Sequence, residues 1–366
     1  MTQPRRAAVA AVVMLVAGCS PVAGVAVMAS PLDVGPYPTS VVAVTQRPGI
    51  GTVLEGQRMA ASVVLPTDVD ATLRRLESAN TGPVPDAQGL RADIRARRAG
   101  IAEANGFVAG FSSSRSTEGE PTPTTSVVNL VMRFPDAGAA AAAAREMAVA
   151  EPARPTAIAH HRETLALVVT MPRGVIVESF TPRGPYVLYQ WVQTRNTLEA
   201  ATGLVAGILD LQGPRIDAFV PTGPGLTVDP TLLLAHTLPP AVGVYTAPGA
   251  LHFERDPDRA ADAFAAAGVS AVSLGRTTVY RSESSTGAAQ LINGLTSGEL
   301  ADGATATDGV VGIPDATCVD RGGGPASPTR YWCAGVSGRY AFTTTSAHSQ
   351  DARQQAAAQY LLLGGL

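Results

Sequence analysis

The sequence predicts an α+β protein of two tandem related domains, each a largely antiparallel sheet with helices packed on one face. Three observations carry this. The order of elements recurs along the chain, each round holds a β-type hairpin followed by an amphipathic helix, and both hairpin turns read Gly-x-Tyr, at Gly184-Pro185-Tyr186 and Gly338-Arg339-Tyr340. Helices alternating with hairpins favour a sheet covered by helices. At 366 residues, 46% hydrophobic and 16% charged, the chain can bury a sizeable core and has room for two domains.

The elements follow in order. Leu32-Asp33-Val34-Gly35-Pro36-Tyr37-Pro38-Thr39 has a partner in Ile216-Asp217-Ala218-Phe219-Val220-Pro221-Thr222. After each come Gly-x-Gly (Gly49 to Gly51, Gly223 to Gly225), an apolar helical stretch and Leu-Pro (Leu65-Pro66, Leu238-Pro239). A charged helix follows, at 87–104 and 258–267, then β-rich sequence at 107–117 and 269–280. Asp136 is placed to cap an alanine-rich helix over 137–150, and Ser284, Ser285 or Thr286 to cap one over 288–295. The hairpins pair 175–180 with 186–192 and 330–334 with 340–345. Each round closes with a helix. Asn196 and Glu199 suggest a capping box for the first, with Ala201, Leu204, Val205 and Ile208 inward. Ser349 is the expected cap of the second, with Ala356, Ala357, Tyr360 and Leu361 inward.

The first twenty residues carry an export signal. Arg5 and Arg6 precede an apolar run from Ala7 to Val16, which ends in Val16-Ala17-Gly18-Cys19. Small residues before a cysteine match a bacterial lipobox, so cleavage is expected between Gly18 and Cys19, with diacylglycerol on the Cys19 thiol. The run is too short to span about 30 Å of hydrocarbon. Each buried methylene contributes about 0.8 kcal/mol, so one acyl chain binds marginally whereas two or three hold firmly. The expected organisation is a signal peptide over 1–18, a lipidated tether over 19–48, an N-terminal domain over 49–213 and a C-terminal domain over 214–366. The expected location is the outer face of the cell membrane.

With Cys19 lipidated, Cys318 and Cys333 remain, and in an oxidising compartment they read as one disulfide. A loop of this size stabilises a fold by about 3 kcal/mol in the chain-entropy model. All 27 basic residues are arginine, which together with abundant Ala, Gly and Pro suggests a GC-rich, actinobacterial coding sequence. The net charge of -3 and the lack of an arginine stripe with interleaved aromatics argue against nucleic acid as a partner. Arg95, Arg97 and Arg98 read as a solvated helix face.

The missing lysine excludes P-loop phosphate binding, Schiff-base chemistry and Ser-x-x-Lys acyl transfer. Gly49, Gly51 and Gly56 follow a Pro-rich tether and read as a turn. Gly335-Val336-Ser337-Gly338 falls one residue short of a nucleophile elbow and sits where a hairpin turn belongs. Ser112 to Ser114 with Arg115 read as a polar strand end. His160 or His161 is the nearest thing to a general base, and His160-His161-Arg162-Glu163 to a metal site, but the spacing favours an exposed loop. Asp256, Asp258 and Asp262 suit a helix start, with Asp256 as cap and Pro257 in the first turn, better than a calcium loop. Trp191 and Trp332 are expected in strand faces.

The chain resembles a family of two-domain mycobacterial-type envelope lipoproteins of unknown function. The resemblance lies in Leu-Asp-Val-Gly-Pro-Tyr-Pro-Thr from Leu32, Glu-Gly-Gln-Arg-Met-Ala from Glu55, Gly-Arg-Tyr from Gly338 and Asp-Ala-Arg-Gln-Gln-Ala-Ala-Ala-Gln-Tyr from Asp351. It implies two related domains on an anchor and transfers no active-site residue. The expectation is therefore a non-enzymatic binding or interaction module for an envelope lipid, small molecule or protein, needing no cofactor or metal. A hydrolase assembled at the interdomain cleft and a structural cell-wall protein are the alternatives.

Overall fold

In the first half of the chain, strands form because long apolar runs such as Val127 to Phe134 bury both of their faces against helices. The structure, a computed structural model, describes residues 32–41, 44, 49–119, 122–222, 226–324 and 327–366. The expected signal peptide, with Gly18 and Cys19, and most of the expected tether lie outside the described residues, as does Gly223 to Gly225.

The first half runs α1 (Ile50–Met59), β1 (Arg75–Leu76), β2 (Gly82–Val84), α2 (Ala87–Leu90), α3 (Ala96–Ala104), β3 (Ala109–Ser116), β4 (Thr125–Arg133), α4 (Ala137–Val149), β5 (Arg154–Thr156), β6 (Leu165–Met171), β7 (Gly174–Arg183), β8 (Tyr186–Thr194) and α5 (Leu198–Asp217). The second runs β9 (Gly243–Thr246), α6 (Ala247–Ala250), α7 (Pro257–Ala267), β10 (Ala271–Leu274), β11 (Thr277–Arg281), α8 (Ser285–Ala301), β12 (Thr305–Thr307), β13 (Thr317–Asp320), β14 (Tyr331–Ser337), β15 (Tyr340–Ser346) and α9 (Ser349–Leu363). Among the described residues all strand pairs are antiparallel.

The duplication holds strand by strand. The first sheet is ordered β1-β3-β4-β8-β7-β6-β5, with β2 also on β3, and the second, read from its other edge, β9-β10-β11-β15-β14-β13-β12. Registers agree too: Ala109, Arg133 and Tyr186 lie opposite one another across three strands of the first sheet, as Ala271, Arg281 and Tyr340 do in the second. One side-chain device is repeated atom for atom. Gln212 on α5 donates to Ser62 O at 2.8 Å and accepts from Val64 N at 2.9 Å. Gln359 on α9 donates to His236 O at 2.7 Å and accepts from Leu238 N at 2.9 Å. Each glutamine also accepts from its own sheet, from Asn129 or from Thr277. The separation from Val64 to Leu238 also carries Gly49 onto Gly223 and Glu55 onto Asp229.

Helices cover both faces of each sheet rather than one. Phe180 and Tyr189 pack towards α4, whereas Val177 and Val192 pack towards α5. In the second half Trp332 and Ala334 face α8, and Cys333 and Phe342 face α9. Such strands lack the apolar-polar alternation that marks a sheet with one wet face.

Caps and breaks account for the remaining differences from expectation. Asp136 and Ser284 cap α4 and α8 as expected, at 2.8 and 3.0 Å. Thr197, not Asn196, caps α5 by accepting from Ala200 N at 3.2 Å. Ser349 is already helical, and Ala352, Gln355, Gln359 and Leu362 line the inner side of α9 while Leu361 is exposed. The charged helix expected over 87–104 is two helices, broken between Leu90 and Ala96. The apolar stretch after Gly223 forms turns where the first half forms α1. Ile216 to Thr222 leaves the end of α5, whereas Leu32 to Thr39 lies irregularly along α9, so that sequence match is not a structural equivalence. Tyr37 donates to Asp351 at 2.6 Å and Gln354 donates to Asp33 at 2.9 Å, so two of the motifs behind the resemblance hold each other.

Arg98 is fully buried, not solvated. It pairs with Glu178, donates to Met147 O at 3.1 Å and lies over the Phe180 ring, while Tyr189 donates to the same carboxylate at 3.1 Å. Cys318 and Cys333 form a disulfide between directly opposed residues of β13 and β14, 2.03 Å between sulfurs. Among the described residues no helix is long and apolar enough to cross a membrane.

Candidate functional site

Helix α1 joins the halves. It starts after Gly49, whose φ of +79° suits glycine. Gly56 lets it lie directly on β3, since a Cβ there would stand 2.6 Å from Gly110 O. Gln57 crosses to the second half and donates to Val242 O at 3.2 Å. Arg58 pairs with Glu55 at 3.2 Å, donates to Val220 O at 3.2 Å and covers the Phe219 ring. The buried Glu55 carboxylate also faces Arg133, with Nε at 3.6 Å.

Beside α1 lies a cavity of about 520 Å³. Its walls are Leu54, Gln57 and Arg58 from α1, the segment around Leu226, Val228 and Thr231, and Val244, Ser270, Ala271 and Arg281 at the edge of the second sheet. Among the described residues the lining surface is mainly apolar, with hydroxyls, an amide, two guanidinium groups and no carboxylate. Arg58 is already paired. Arg281 is half-buried and donates from Nε to Ser270 Oγ at 3.0 Å, and among the described residues it forms no ion pair. The Tyr245 hydroxyl is buried and has no hydrogen-bond partner among the described residues, and burial raises its pKa.

A serine-histidine pair lies at the seam, at the segment expected to be a polar strand end. Ser112 to Ser114 and Arg115 are in fact buried within β3. His252 Nε2 sits 2.9 Å from Ala60 O, a group that only accepts, so the proton is on Nε2 and Ser113 Oγ donates to Nδ1 at 2.8 Å. Both residues are fully buried, and Phe111 covers the ring at 4.8 Å between centroids. Burial pushes the His252 pKa down to about 4, with the Arg115 charge acting in the same direction. Both ring nitrogens are occupied and the pair does not line the cavity beside α1, so it fastens the halves. Arg115 adds to the fastening. Its guanidinium donates to Glu254 O at 2.6 Å, Arg74 O at 2.9 Å and His252 O at 3.3 Å.

The Glu254 carboxyl is desolvated, which pushes its pKa up to about 7, and it accepts from Tyr280 at 3.2 Å. It borders a small cleft of about 60 Å³ whose charges are paired, Arg259 with Asp256 and Asp302, and Glu299 with Arg321.

The other residues singled out in the sequence do not converge. His160 is exposed in a turn at φ +64°, and His161 reaches Asp210 at 3.0 Å. Among the described residues no three His, Cys, Asp or Glu side chains are grouped to hold a metal ion. Ser337 ends β14 beside the hairpin turn, and Asp256 caps α7 by accepting from Arg259 N at 3.1 Å. Trp332 is buried and Trp191 half-buried, both on strands. Gly51 and Gly56 are helical. The cavity residues escaped the sequence reading. The one signal pointing to Arg281 is its place, with Arg133, at the end of the strand before a capped helix.

No curated protein matches the chain. The extracellular domain of PknH from Mycobacterium tuberculosis, a crystal structure, matches at 16% identity and a TM-score of 0.30, covering 42% of this chain and 94% of that one. Two family models match, the N-terminal domain of unknown function DUF7373 over residues 43–232 and its C-terminal counterpart over 229–365. Together they span nearly all of the described chain, which therefore belongs to the DUF7373 family.

Proposed function

We propose that this protein is a lipid-anchored binding module of the cell envelope, held outside the membrane through Cys19 and performing no catalysis of its own. Its ligand occupies the cavity between α1 and the second sheet. One observation carries the reading: a cavity of about 520 Å³, mainly apolar in its lining surface and edged by hydroxyl and guanidinium groups, which falls in the size range of small-molecule sites. The sealed Ser113–His252 pair favours binding over hydrolysis, because that serine and histidine are buried and engaged in fastening the halves.

The anchor is tested by Cys19→Ala, which is expected to move the protein from the membrane fraction to the soluble one; unchanged membrane association would refute it. Binding is tested with the neutral dye Nile red. The full chain carrying Cys19→Ala should bind it, and Thr227→Trp, at an exposed position on the cavity wall, should weaken that binding. Dye binding indifferent to Thr227→Trp would remove the cavity as the site.

A further inference from the structure

The duplication makes the first half a comparison structure for the second. In the first, Arg133 ends β4 on the face towards α5, and the Glu55 carboxylate of α1 lies 3.6 Å from its Nε. In the second, Arg281 stands at the matching register, between Ala271 and Tyr340 as Arg133 stands between Ala109 and Tyr186. The residue matching Glu55 is Asp229, but the segment around it forms turns. Its carboxylate is drawn away, accepting from Ala235 N at 2.9 Å and from Thr231 at 3.4 Å. The cavity therefore opens where the described residues form turns in place of the matching helix, and among the described residues Arg281 meets no acid such as the first half supplies to Arg133.

We infer that the cavity takes a ligand with a carboxylate at the end of an apolar body, of the fatty-acid class, and that Arg281 binds the carboxylate in the role that Arg133 plays towards Glu55. This rests on the cavity being the binding site. Leu54, Val228, Val244 and Ala271 suit the apolar body. A guanidinium pairs well with a carboxylate, and the neighbouring Ser270 hydroxyl fixes its Nε.

The test measures displacement of Nile red from the full chain carrying Cys19→Ala by palmitic acid and by methyl palmitate, which has the same tail and no charge. The acid should displace the dye at a concentration about tenfold or more below that of the ester, as loss of a charged hydrogen bond implies. Arg281→Gln should abolish that preference, and Arg133→Gln, on the closed side, should leave it intact. Equal displacement by acid and ester, or a preference that survives Arg281→Gln in a folded variant, would overturn carboxylate recognition while dye binding upheld the cavity. Absence of dye binding would overturn both.

Discussion

The two halves share one skeleton and differ in how they are braced and closed. In the first, position 178 is a glutamate that holds the buried Arg98, and position 179 is a serine. At the matching places in the second stand Trp332 and Cys333, and the brace is the disulfide to Cys318. The first half closes its Arg133 corner with α1, whereas the second leaves the Arg281 corner open as a cavity. A duplicated fold thus keeps its register and its glutamine clasps while its core chemistry differs, and a cavity opens where the described residues of the second copy form turns in place of α1.

The largest effect is expected from Arg98→Ala, which leaves Glu178 charged and unpaired in the core: about 3–5 kcal/mol less stable by denaturant unfolding. A loss under 1 kcal/mol would mean that the first half does not depend on that pair. Replacing both Cys318 and Cys333 by alanine should cost the second half about 3 kcal/mol in the same assay. Gln212→Leu and Gln359→Leu should each cost about 1–3 kcal/mol, since each strands a buried N–H and C=O. Clearly unequal losses would argue against equivalent clasps.

A smaller effect concerns pH. The folded-state pKa of Glu254 is raised from about 4.5 to about 7, so its contribution is fully present below 4.5 and is lost as pH rises to 7. For His252 the pKa is lowered from about 6.5 to about 4, so its contribution is present above 6.5 and is lost as pH falls to 4. The two slopes oppose each other between pH 4.5 and 6.5. Glu254→Gln should therefore make the slope of stability with pH more positive there, by at most about 1.4 kcal/mol per pH unit. An unchanged slope would show that Glu254 does not hold its proton in the fold.

Much of the fold was legible because local signals were strong. Asp136 before an alanine-rich helix and Gly-x-Tyr at both hairpins carry their own structural meaning, and two cysteines besides Cys19 leave one pairing between them. Other readings failed where tertiary packing reversed local appearance. Arg98 and Ser113 look solvent-facing in one dimension, yet Glu178, some eighty residues from Arg98, and His252, from the other half, satisfy them in the core. The stretch after Gly223 carries apolar residues like those of α1 but forms turns, with Asp229 bonding to Ala235 N and Thr231.

The sequence by itself determined the repeated order of elements, the cysteine pairing and the exclusion of lysine chemistry, because each depends on residue type and near neighbours. Only the tertiary structure decided which polar groups are buried, that both sheet faces are covered, and that Arg281 borders a cavity while Arg133 meets an acid. Those outcomes depend on groups far apart in the chain, whose meeting is set by how the two halves pack.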